Sequence, residues 1–194
     1  FCLNNTDQYC LLNGDCGDGG VCDQNSPNAK TGNLMTIIGS GFGTTTGSVI
    51  FADNKLGDLS ACGVNSWSNN QIVVKVPAAV IDGPIKVTNS DNFSATSTQS
   101  VVINNIARPG LCSLSKSTGT TNELINYQGL NFSNSGPVAT KALYGNLTNP
   151  IPTNESQVLS NVLIKARVPS LQPGQVTTFV RNEGTAIGPT SNFL

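Results

Sequence analysis

The stretch Met35 to Gly43, MTIIGSGFG, opens as an apolar strand, breaks at Gly39-Ser40-Gly41, and sets one aromatic, Phe42, ahead of another glycine. Glycines at a strand end permit positive φ and close backbone approach. A single ring among them reads as a plug at the end of a sandwich core. The arrangement returns as Gly129-Leu130-Asn131-Phe132, after Leu124 to Gln128. Around it the pattern restarts from Ile106. Thr118-Gly119 matches Thr31-Gly32, and Leu143-Tyr144 matches Ile50-Phe51. Ile164, Ala166 and Val168 alternate before Pro169 as Ile72, Val74 and Val76 do before Pro77. Gly174 matches Gly83, and Thr178 to Val180 matches Ile85 to Val87. Gly39 to Gly129 is 90 residues and Phe51 to Tyr144 is 93, so the offset is nearly constant. That marks an internal repeat.

Each copy reads as short strands with period-two alternation between Gly and Pro turns. In the first copy these are Met35 to Ile38, Val49 to Phe51, Gln71 to Val76, Ile85 to Val87 and Val101 to Ile103, with Lys55 to Asn65 a polar connection. No 3.6-residue apolar period persists long enough for a helix. The fold class is therefore all-β, with two sandwiches at about residues 25–104 and 106–194, in the same strand order. About 90 residues suits one immunoglobulin-like domain. The second copy carries a longer polar segment, Thr148 to Asn161, where its middle strands are hardest to place.

Six cysteines are present, four of them within residues 1–24. Cys10, Cys16 and Cys22 stand at equal C-x5-C-x5-C spacing among Asn, Gly and Asp, a turn-rich filling. So short a segment cannot bury a core and needs staples. An even, clustered count favours disulfides and an oxidising compartment. Zinc ligands usually pair at C-x2-C or C-x4-C spacing, which this segment lacks. The expected pairing joins Cys2, Cys10, Cys16 and Cys22 among themselves and leaves Cys62 with Cys112. The competing pattern is Cys22 with Cys62, leaving Cys112 to a leader cysteine.

Composition removes several function classes. The chain has no histidine, hence no Ser-His-Asp or Cys-His centre of its own. Its net charge is −1 and its ten basic residues are scattered, against a phosphate-binding surface. No run approaches the roughly 20 apolar residues of a spanning helix, so direct membrane insertion is not expected. The sequence begins with Phe1, consistent with a processed form or an excerpt of a longer protein.

Candidate sites are few. Asp15 and Asp18 in the Gly-rich leader are calcium candidates, although two acids three residues apart are ordinarily turn residues. Trp67 is either a ligand platform or a ring packed over the sandwich edge beside Ile72, and packing is the expected role. Gly39-x-Gly41-x-Gly43 resembles a phosphate loop only superficially, because a dinucleotide fingerprint needs a helix after the glycines. Tyr9, Tyr127 and Tyr144 are too dispersed along the chain for an aromatic track. Asp53, Asp58, Asp82, Asp91, Glu123, Glu155 and Glu183 lie on separate loops, and nothing singles out the acid pair a glycosidase needs. The N-glycosylation pattern N-x-S/T occurs at Asn4, Asn92, Asn131, Asn146 and Asn154.

These residues carry a resemblance. Each repeat resembles an IPT/TIG domain, the immunoglobulin-like fold of plexins, some transcription factors and many bacterial surface proteins. In the first copy the matching residues are Thr31-Gly32, Met35 to Gly43, Val49 to Phe51, Ser66-Trp67-Ser68, Gln71-Ile72, Lys75 to Pro77, Gly83 and Val87-Thr88-Asn89. In the second they are Pro109, Ser117 to Gly119, Gly129, Asn131-Phe132, Tyr144-Gly145, Val168-Pro169, Gly174 and Asn192-Phe193. The leader resembles short bacterial secreted motifs with Asp15-Cys16-Gly17, Gly19 and Cys22. The resemblance implies a non-catalytic extracellular or cell-surface module without cofactor. It implies protein partners, copies of the same chain or other surface proteins, and no nucleic acid. A structural or adhesive segment is the first expectation. A plexin-like recognition ectodomain and an accessory module of a secreted carbohydrate-active enzyme are the alternatives.

Overall fold

The computed structural model describes residues 27–134, 139–145, 150–183 and 187–192. The chain divides into two compact units, Phe1–Ala107 and Arg108–Leu194. Among the described residues both are built of strands, with only short 3-10 turns besides.

The first unit contains β1 (Asn28–Ala29), β2 (Leu34–Ile38), β3 (Ser48–Phe51), β4 (Lys55–Leu56), β5 (Gln71–Lys75), β6 (Gly83–Thr88) and β7 (Ser94–Ile103). One sheet runs β1-β7-β6-β3-β4, and β2 pairs with β5 in the other. The alternation in β3 and β6 turns Val49, Phe51, Ile85 and Val87 inward, against Ile72, Val74 and Val76. Each such side chain is worth roughly 1.5–3 kcal/mol when removed from water, and a one-residue slip would turn the whole row outward. The register is accordingly fixed, with Leu34 opposite Lys75 and Ile38 opposite Gln71. Val73, on the face alternate to Ile72 and Val74, is also buried. Lys55 to Asn65, read as connection, contributes β4 and a 3-10 turn at Ser60–Ser66.

The second unit contains β8 (Gly110–Leu114), β9 (Leu124–Leu130), β10 (Thr140–Gly145), β11 (Pro150–Pro152), β12 (Glu155–Ser160), β13 (Leu163–Arg167), β14 (Thr178–Glu183) and β15 (Ile187–Thr190). Its sheets run β11-β10-β14-β15 and β12-β13-β9-β8. The order β4-β3-β6-β7 of the first unit thus recurs as β11-β10-β14-β15, and the β2-β5 pair recurs as β9-β13. Registers recur too: Val49 opposite Val87 corresponds to Ala142 opposite Val180, and Leu34 opposite Lys75 to Leu124 opposite Arg167. The first strands differ, since β1 runs parallel to β7 whereas β8 pairs antiparallel with β9. The described part of the polar segment, from Pro150, folds as β11 and the edge strand β12, whose residues alternate between exposed and half-buried. An edge strand needs little apolar patterning, and for that reason β12 escapes periodicity.

One sequence match is displaced. Gly32 has φ +86 and its N–H donates to Val76 O at 3.0 Å. The residue that does the same in the second unit is Asn122, at φ +67, donating to Val168 O at 2.8 Å. Val76 N and Val168 N then donate back to Asn33 O and Glu123 O. The counterpart of Thr31-Gly32 is therefore Thr121-Asn122, not Thr118-Gly119. Asn is among the few residues besides Gly that enter the left-handed region readily, so the shape persists while the letter changes.

Candidate functional site

The glycine–aromatic break builds the same seat in both units. A Cβ on Gly39 would lie 2.5 Å from Phe42 Cζ, and a Cβ on Gly129 would lie 2.5 Å from Phe132 Cζ. Each ring occupies the space a side chain three residues earlier would need. The residue between takes positive φ in both, +76 at Gly41 and +60 at Asn131. The backbone is tied identically. Gly39 and Phe42 donate to Asn70 O and Asn69 O, both at 3.1 Å, while Gly129 and Phe132 donate to Val162 O (3.0 Å) and Asn161 O (2.9 Å). These amides are spent on the carbonyls of the facing loop and are not turned toward a phosphate. Among the described residues no helix follows it in either unit.

Trp67 is 7% exposed, within the core that includes Ile72. Its indole N–H is shared between Phe42 O and Gly43 O at 3.2 Å each, and its ring is tilted 60° to Phe42 at 6.1 Å. It holds the plug in place and presents no platform. Tyr127 and Tyr144, distant in sequence, come together inside the second unit: the Tyr127 hydroxyl donates to Tyr144 at 2.8 Å. Neither is an aromatic track, because both are buried. Burial, and then the bond to Tyr144, push the Tyr127 hydroxyl far above its usual range; burial raises Tyr144 as well.

Four of the described carboxylates serve local structure. Asp58 accepts from the Ser60 hydroxyl at 2.6 Å, which holds it below the usual range, and it faces Lys75 at 3.6 Å. Asp82 accepts from Ile103 N at 2.7 Å. Glu123 takes a short ion pair from Lys116 and caps Thr120 N, which lowers it. Glu155 pairs with Arg167 at 2.9 Å across two strands. Among the described residues no group of three His, Cys, Asp or Glu is placed to hold a metal ion. Asp15, Asp18, Cys2, Cys10, Cys16, Cys22, Asn4 and Asn146 lie outside the described residues. Cys62 and Cys112 are each disulfide-bonded.

The remaining feature is a strand that sequence reading cut short. β7 begins at Ser94, seven residues before the expected Val101, and every residue from Ser94 to Ser100 is exposed. Its Ser/Thr run carries no apolar signal, so periodicity could not find it. Among the described residues β6 lies on one side of it, and β1 covers the other only at Val102 and Ile103. At the hairpin tip Asn89 N donates to Phe93 O at 2.9 Å. Antiparallel pairs alternate between bonded and non-bonded. Val87 opposite Ala95 is therefore a bonded pair, and Ser94 and Thr96 aim their backbone groups off the open edge. No Lys, Arg or Pro guards this stretch, although a bulge interrupts it between Thr96, opposite Lys86, and Ser100, opposite Pro84.

Comparison with known proteins finds an IPT/TIG domain at residues 24–103. The cyclomaltodextrin glucanotransferase of Geobacillus stearothermophilus is 44% identical over 68 residues, 35% of this chain and 9% of that enzyme. That of Niallia circulans is 34% identical over 112 residues, 51% of this chain and 15% of the enzyme. The chain thus spans a small part of these curated relatives. Among solved structures, the surface glycan-binding protein PbSGBP-B from Prevotella bryantii aligns over 86% of this chain and 37% of its own, at 13% identity and a TM-score of 0.35. No helix among the described residues is long and apolar enough to cross a membrane.

Proposed function

We propose that the chain is a non-catalytic structural or adhesive segment of an extracellular protein, built of two tandem IPT/TIG sandwiches behind a disulfide-stapled leader. The single observation that supports this most is the edge of β7 at residues 94–96, ahead of its bulge, which no described strand covers and where exposed, uncharged residues turn backbone groups outward at Ser94 and Thr96. Such an edge receives a strand from another chain by main-chain pairing, and the partner in this reading is a second copy of the same protein. Asp58, Asp82, Glu123 and Glu155 are engaged in ion pairs and backbone caps, and the chain has no histidine, which supports a non-catalytic reading. Cys62 with Cys112 is the expected pairing, which puts the protein in an oxidising, extracellular setting.

Sedimentation velocity on the whole chain tests the reading. The expected result is concentration-dependent association that Thr96→Pro abolishes. Proline there deletes an outward N–H and leaves the β6 side of the ladder intact. A strict monomer at high concentration, or equal association of the variant, refutes it.

A second reading is favoured by the likeness to cyclomaltodextrin glucanotransferases: an accessory module of a secreted carbohydrate-active enzyme. Affinity electrophoresis in starch or β-glucan gels tests it. Retardation of the monomer supports it, and unchanged mobility across the panel refutes it.

A further inference from the structure

Three sequons fall on described residues, and their surroundings differ. We propose that Asn92 is an N-glycan acceptor in the folded chain, while Asn131 and Asn154 accept a glycan only before folding. In that transfer Asn92 Nδ2 attacks C1 of a polyprenyl-pyrophosphate-linked oligosaccharide held by an oligosaccharyltransferase. The new bond is N–C1, the C1–O bond to pyrophosphate breaks, and one amide proton leaves to the transferase's base.

Asn92 sits at the tip between β6 and β7. The turn there is held by a different residue. Asn89 Oδ1 accepts from Asp91 N at 3.1 Å and Phe93 N at 3.0 Å, and Asn89 O accepts from Asn92 N at 3.1 Å. Asn92 contributes its backbone and its left-handed φ of +66, while its amide group has no part in the turn. Phe93 is 76% exposed and Ser94 is exposed, so all three sequon residues can enter an enzyme groove without emptying the core.

At Asn131 the middle residue is the plug. Phe132 is 4% exposed, its N–H is bonded to Asn161 O, and Ser133 N donates to Thr140 Oγ1 at 2.8 Å. Presenting that sequon requires pulling the ring out of the core. At Asn154 the nucleophilic nitrogen is engaged, since Nδ2 donates to Asn122 Oδ1 at 2.8 Å and Val168 O at 3.5 Å. Modification there would break the tie that fixes the left-handed Asn122.

The test uses the folded, oxidised chain made in a host without N-glycosylation. It is treated with a purified single-subunit oligosaccharyltransferase and lipid-linked oligosaccharide, beside protease-derived peptides of the same chain. Occupancy at each site is read by mass spectrometry. A site reachable only through opening is modified in proportion to the open population. Asn131 and Asn154 are therefore expected more than about tenfold below their peptides, and Asn92 level with its own. Ser94→Ala is expected to abolish modification at Asn92 alone. An Asn92 site as suppressed as the other two, or equal modification of all three in the folded chain, overturns the proposal. So does an Asn92 peptide that the enzyme ignores.

Discussion

Replacing Phe132 by Ala tests the plug in the second unit directly. The ring is 4% exposed and packs with Tyr127, Ile164 and Val180. It also sits where a Gly129 side chain would lie, so its removal leaves a hole bordered by backbone that cannot collapse easily. Large-to-small changes at such sites cost about 3–5 kcal/mol for Phe. One small domain has roughly 5–15 kcal/mol in all, so the loss is severe without being total. With a urea slope near 2 kcal/mol/M, the midpoint should fall by about 2 M. The two units carry separate reporters. Trp67 is the chain's single tryptophan and lies in the first unit, while two of the three tyrosines, Tyr127 and Tyr144, lie in the second, and a Tyr9→Phe background removes the third. The assay is urea unfolding followed by tryptophan fluorescence and by near-UV tyrosine dichroism. The tyrosine transition should move by the full amount and the tryptophan transition by much less. Loss of under ~1 kcal/mol in the tyrosine transition would refute the seat, because it would mean the ring is replaceable by solvent.

Gly129→Ala should destabilise more than Gly39→Ala. The added Cβ at 129 meets Gly110 O at 2.0 Å, a β8 carbonyl that cannot swing away, whereas at 39 it meets only the Phe42 ring at 2.5 Å. Thermal melts of the two variants decide the order, and equal melts would contradict it. The buried tyrosines predict an alkaline weakness: raised folded values mean full stability below about pH 10, lost as pH rises through that value and beyond. Each pH unit costs roughly 1.4 kcal/mol per tyrosine that ionises only in the unfolded state. Urea titrations at increasing pH should show this loss and Tyr127→Phe should reduce it; an unchanged slope in that variant would refute it. Non-reducing peptide mapping should recover the Cys62 and Cys112 peptides joined, a closure worth about 4 kcal/mol in the chain-entropy model. Recovery of Cys62 bonded to Cys22 would select the rival pattern.

The plug loops were legible because their chemistry is concentrated in a few letters, glycine and one aromatic, that nothing else explains. The buried faces of β3, β5, β6 and β13 were legible from their alternation. What escaped was edge structure. β7 from Ser94, β11, β12 and β15 gain stability from neighbours rather than from their own apolar patterning, so their residues look like loop. The Tyr127–Tyr144 bond escaped because it joins two strands of opposite sheets, a contact set by tertiary packing. The mistaken equivalence of Thr118-Gly119 with Thr31-Gly32 came from matching letters where the repeat matches conformations. Gly and Asn exchange freely at a left-handed position, as they do at Gly41 and Asn131.

That exchange supplies the most direct test of the central claim, that residues 108–194 repeat the sandwich matched at 24–103 seat by seat. The measurement is the difference in unfolding free energy between Asn131→Gly and Asn131→Ala. At φ +60 an alanine is strained by about 1–2 kcal/mol, while a glycine is not. The account predicts that the glycine variant is the more stable by about 1 kcal/mol and stays close to the parent. An alanine variant as stable as the glycine one would place Asn131 outside the left-handed seat and contradict the repeat.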